Sequence, residues 1–144
     1  MEQRVIYLAA PQAVRETDRY ETYYYLLSHH FRGAELLEAR ELFPTAKVWF
    51  AGWKDVLSRI DTLVFIRNSD HAVGRGTWKE IQQTHLAGKT VLMARTNKDG
   101  VLKLVPFSKL RYDFDKESKQ NFAVVTYKNI DLPDQAAKQV ARAS

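Results

Sequence analysis

The chain has 144 residues, a usual size for one domain, and no cysteine, which excludes structural disulfides and thiolate metal sites. Its formal net charge of +5 and pI near 9.5 favour anionic partners such as nucleotides. Lysines and arginines are interleaved with acids, no apolar run reaches membrane-spanning length, and no zinc-finger, homeodomain or RNP pattern occurs, which argues against membrane and nucleic-acid partners.

The opening Met1-Glu2-Gln3-Arg4 runs straight into a strand-like segment without a signal-peptide layout, so a cytoplasmic protein is expected. Val5 to Ala9 is an apolar run ended by Pro11 and reads as a buried strand. Asp18 to His30 reads as a helix, because Tyr20, Tyr23, Tyr24 and Leu27 share one face; Gly33 closes it. Ala34 to Phe43 has helical propensity but the position of a strand, and a short strand is expected. Pro44 suits the first turn of the next helix, whose stripe is Trp49, Trp53, Val56 and Ile60. Thr62 to Ile66 is the clearest buried strand. A polar loop, Arg67 to Arg75, follows it. A helix is expected from about Gly76 to Ala87, with Gly88 as its C′ residue, then a strand over Thr90 to Ala94. Lys98-Asp99-Gly100 is a turn signal, and Val101 to Phe114 reads as a strand or loop excursion. Phe122 to Tyr127 is a last strand, and Asp131 to Arg142 a C-terminal helix.

Alternating strands and helices predict a single α/β domain over residues 1–144. The expected form is a flavodoxin/Rossmann-like three-layer sandwich with a mostly parallel sheet of about five strands. In such folds ligands bind beyond the carboxyl ends of the strands, where strand order reverses. With the common order 2-1-3-4-5, that crevice sets Tyr7, Ala9 and Pro11 against Asn68, Asp70 and His71.

The segment Gly74-Arg75-Gly76-Thr77-Trp78-Lys79-Glu80 opens a helix directly after a strand. Gly74 and Gly76 permit close approach of a ligand, the helix N-terminus offers N–H groups to an anion, and Arg75 adds a bidentate donor. Glu80, a turn further, can point at the crevice. A carboxylate there could attack the anomeric carbon of a ribosyl group and form a covalent glycosyl intermediate. Thr77-x-x-Glu80 is equally a capping-box pattern, and spacing alone favours the cap.

Ile6-Tyr7-Leu8-Ala9-Ala10-Pro11, Gly76, Glu80 and Gly88-Lys89 resemble the layout of the nucleoside 2-deoxyribosyltransferase family. Gly74-x-Gly76-Thr77-x-x-Glu80 is also similar to the glycine-rich signature of the LOG-type phosphoribohydrolases. The resemblance spans roughly residues 4–95. It implies cleavage or exchange of an N-glycosidic bond in a nucleoside or nucleoside 5′-monophosphate. Glu80 would be the nucleophile, Tyr7 would orient it, and Asp70 or His71 would assist the leaving base. Asn68, Gly74, Arg75, Gly76 and Thr77 would hold the ligand. It also implies a homo-oligomer that completes its site across an interface. Two departures stand out. The family places an acid a few residues before its nucleophile, where this chain has Gly74 and His71. The LOG signature begins Pro-Gly-Gly, where this chain has Ala72-Val73-Gly74.

Other readings remain beside these. Tyr7 could be a half-buried strand aromatic, Asp70 a turn residue, and Trp49 with Trp53 core or a subunit contact. His29 and His30 suit a helix end, and His85 suits packing with Trp78 and Ile81. Four scattered histidines give no metal cluster, no G-x-S-x-G occurs, and no cofactor is expected. The alternative function is a nucleotide-sensing domain that holds its ligand without turning it over.

Overall fold

The computed structural model describes residues 3–113 and 121–127. The predicted helix from Asp131 to Arg142 lies outside the described residues. The N-terminal half contains β1 (Val5–Ala9), α1 (Gln12–Arg15), α2 (Asp18–His30), β2 (Glu35–Glu38), α3 (Ala39–Leu42) and α4 (Ala46–Arg59). Next come β3 (Thr62–Phe65), β4 (Ala72–Gly74), α5 (Arg75–Leu86), β5 (Thr90–Thr96) and β6 (Leu102–Pro106). A short 3-10 turn then leads to β7 (Leu110–Asp113), and β8 (Asn121–Tyr127) follows.

The principal sheet has five strands in the order β2-β1-β3-β5-β6. β2, β1, β3 and β5 run parallel, and β6 returns antiparallel on β5. This is an α/β, Rossmann-like three-layer fold, and β1 lies beside β3 as the switch-point argument requires. The pleat of β1 divides the core. Tyr7 and Ala9 pack with Trp53, Val56, Trp78 and Ile81 of α4 and α5. Ile6 and Leu8 pack with Val14, Tyr20, Tyr23 and Leu27 of α1 and α2. Each fully buried aliphatic residue here contributes roughly 1.5–3 kcal/mol relative to exposure.

Local chemistry explains most boundaries. Thr17 caps α2 by accepting from the Tyr20 N–H at 3.2 Å, and Gly88 takes φ +78° just past α5. Four expectations change. The ambiguous 34–43 segment divides into strand β2 and the short helix α3. Pro44 stands outside α4, because Thr45 is its N-cap and accepts from the Val48 N–H at 3.3 Å. The loop read as polar from Arg67 to Arg75 contains β4, whose Ala72 and Val73 are buried. β4 pairs antiparallel with β8, and β8 with β7, so the last strand joins a second, three-stranded sheet. That pairing is long-range, and no local pattern in Ala72-Val73-Gly74 announces it. No helix among the described residues is long and apolar enough to cross a membrane.

Candidate active site

Beyond the carboxyl end of β1 opens a cleft of about 480 Å³. Its walls come from the β1–α1 turn at Pro11, from Arg15, from the first turns of α4, and from the N-terminus of α5. Glu80 lines it, although that residue is only 2% exposed.

α5 begins at Arg75, with Gly74 as an N-cap that makes no side-chain capping bond. Thr77 is therefore inside the helix, not at its cap, and the capping-box reading of Thr77 and Glu80 fails. The Glu80 carboxylate turns inward instead. Its Oε2 accepts from the Tyr7 hydroxyl and from the Trp49 indole Nε1, the latter at 3.1 Å. Both bonds end on Oε2, so they fix the carboxylate plane without using Oε1.

Burial pushes the Glu80 carboxyl up to about 7, against the opposing pull of the Tyr7 bond, the Trp49 bond and the Arg15 charge. The Tyr7 hydroxyl is also pushed well above its ordinary range, by burial first and then by Glu80. Arg15 is held by two main-chain carbonyls: Nε donates to Ala10 and Nη1 to Phe43, each at 2.8 Å. A fixed cation thus stands on the cleft wall near a poised carboxylate.

Of the residues the sequence pattern singled out, Pro11, Asn68, Gly74, Arg75, Gly76 and Thr77 line the same cleft. The Asn68 Oδ1 is buried with no hydrogen-bond partner among the described residues. Ala9 is instead sealed in the sheet, and its carbonyl accepts from the Ile66 N–H at 3.0 Å. Asp70 and His71 do not line the cleft. The Asp70 Oδ1 accepts from the Ala72 N–H at 3.0 Å, and the residue borders an adjoining hollow beside Arg19. His71 adopts φ +68° in the same turn, its N–H donating to the Asn68 carbonyl at 2.9 Å. Burial, then the Arg67 and Arg19 charges, lower its pKa. The remaining histidines lie away from the cleft, His29 and His30 in the last turn of α2 and His85 exposed on α5 rather than packed in the core. His29 Nδ1 lies 2.9 Å from the Tyr25 carbonyl, and His85 stacks on Phe107 with centroids 3.8 Å apart.

Sequence reasoning missed Arg15 and the polar role of Trp49. Arg15 lay in a stretch with no legible pattern. Trp49 carried the helical periodicity of a core residue, and periodicity does not reveal where an indole N–H points. Among the described residues no group of three or more histidine, aspartate or glutamate side chains is placed to hold a metal.

Fold and site together define a class: a Rossmann-like α/β domain with a buried carboxylate at its switch-point cleft. No protein-family model matches the chain, and no curated protein does either.

Proposed function

We propose that this chain cleaves or exchanges the N-glycosidic bond of a nucleoside or nucleoside 5′-monophosphate, with Glu80 as nucleophile. The observation that carries the reading is the Glu80 carboxylate: inside a cleft, ionising near neutrality, and oriented by two donors on one oxygen. The resemblance of Tyr7, Gly76, Glu80 and Gly88-Lys89 to the nucleoside 2-deoxyribosyltransferases supports it. In the first step an oxygen of ionised Glu80 bonds to C1′ while the C1′–N bond breaks. The base leaves with the bonding pair and takes a proton from water. In the second step water, or another base, bonds to C1′ while the ester bond to Glu80 breaks; the incoming group gives up its proton to the hydroxide left by the first step, and the Glu80 carboxylate is restored. Water as acceptor makes the chain a hydrolase; a second base makes it a transferase. Arg75 and the N–H groups at the start of α5 hold the 5′-phosphate, assisted by Arg15. The protein acts in the cytoplasm, and a homo-oligomer completes the site.

The test is base release from a panel of nucleosides and nucleoside monophosphates, followed by mass spectrometry. Wild-type protein releases base, and Glu80→Gln lowers turnover by orders of magnitude while substrate affinity is kept. Near wild-type release by Glu80→Gln ends the covalent mechanism.

One observation favours a second reading, nucleotide sensing. Among the described residues Glu80 is the sole acid lining the cleft, since Asp70 faces elsewhere. A wild-type protein that binds nucleotide and never releases base decides for that reading.

A further inference from the structure

Two indoles on α4 and two polar side chains on α5 form a ladder beneath the cleft. Trp49 and Trp53 are four residues apart and stack, with centroids 6.0 Å apart and planes 12° from parallel. Glu80 and Gln83 are three residues apart, so both pairs are successive turns of one helix face. Each indole N–H donates straight across. Trp49 Nε1 reaches Glu80 Oε2 at 3.1 Å, and Trp53 Nε1 reaches Gln83 Oε1 at 2.7 Å. Trp53 is 2% exposed, and its ring also lies against the Tyr7 ring, with centroids 5.2 Å apart. It therefore touches both residues that donate to Glu80. Phe43 lies edge-on to the same indole, with centroids 6.3 Å apart.

We infer that Trp53 and Gln83 are positioning residues for Glu80: their bond locks the wall against which Tyr7 and Trp49 aim at the carboxylate. The inference rests on the reading of Glu80 as the reacting group, but the positioning itself is independent of turnover. The physical reason is rotational freedom. A stacked indole without an edge bond can slide or tilt. A lower rung fixed to Gln83 registers α4 on α5 and leaves the upper rung one geometry. Gln83 itself is exposed. Replacing it therefore tests alignment rather than core volume.

The experiment reads Glu80 directly, by carboxyl carbon NMR titration of the full chain, in wild type, Gln83→Met, Trp53→Phe and the double variant. Gln83→Met keeps side-chain bulk and removes the acceptor; Trp53→Phe keeps a ring and removes the donor. Misaligned donors stabilise the carboxylate less, so the Glu80 midpoint rises by about half a pH unit or more in Gln83→Met. The double variant matches Trp53→Phe alone, because both remove one bond. Base release shows kcat falling by about 3- to 10-fold with KM nearly unchanged, and its acid limb moving to higher pH. A Gln83→Met protein whose Glu80 midpoint equals wild type overturns the inference, even if its melting temperature falls. Gln83→Met decides the matter alone should Trp53→Phe not fold. A shifted midpoint in a protein that never releases base keeps the ladder and removes the catalytic reading.

Discussion

The Tyr7 hydroxyl, from the middle of a central strand, donates to the carboxylate of Glu80, 73 residues further along the chain. Both groups are largely withdrawn from bulk water, since Tyr7 is fully buried and Glu80 nearly so. A phenol in that position stabilises the ionised acid that burial opposes.

Tyr7→Phe removes that donor and leaves the ring packing against Trp53. Losing a hydrogen bond to a charged group costs about 1.5–3 kcal/mol. Because ionised Glu80 gains more from the bond than its neutral form does, the loss appears chiefly above pH 7. The acid limb of base release moves to higher pH than in wild type. Parallel melting curves at pH 5 and pH 8 check the first point; an unchanged difference between them would contradict it.

Glu80 also sets a direction for stability against pH. Its carboxyl titrates near 7 in the folded chain, above its ordinary value of 4.5. Between those values the folded state holds a proton that the unfolded state has lost. Stability therefore falls as pH rises from about 4.5 to about 7, by roughly 3 kcal/mol from this group, and is flat beyond. Glu80→Gln removes the slope. Denaturant titrations across this range should show the variant gaining on wild type as pH rises, with the greatest gain at pH 8.

Arg75→Ala separates phosphate recognition from sugar recognition. Affinity for a nucleoside monophosphate should drop by about tenfold or more, as loss of a charge-assisted contact implies, while affinity for the matching nucleoside hardly moves. Calorimetric titration with the two ligands provides the comparison. Equal losses for both show that Arg75 reads no phosphate.

Asp70→Ala addresses a residue that the sequence pattern placed beside the chemistry. Its carboxylate holds the Ala72 N–H in the turn before β4. The expected cost is about 1 kcal/mol of stability, with base release unchanged within about twofold. A large loss of turnover at unchanged stability gives Asp70 a direct part in the reaction.

Much of this molecule can be read from local pattern. The runs at Val5 and Thr62, the spacing of Tyr20, Tyr23 and Leu27, and Gly88 after a helix each follow from side-chain periodicity or backbone freedom, which are properties of neighbours. Together they imply alternating strands and helices, and the order common to such sheets then places the cleft beyond β1, beside the start of α5. Three matters lay beyond that reach. β4 is a strand only because β8 pairs with it. Glu80 matched two roles at one spacing, and the choice depended on where α5 begins and on Tyr7 and Trp49 from distant elements. Asp70 and Arg15 exchanged places: the acid near the loop turned to cap its own turn, and the unmarked arginine came to the cleft wall. The physical reason is the same in each case. A side chain's hydrogen-bond partner is set by the packing of whole elements, and a sequence records which donors and acceptors exist but not which of them meet.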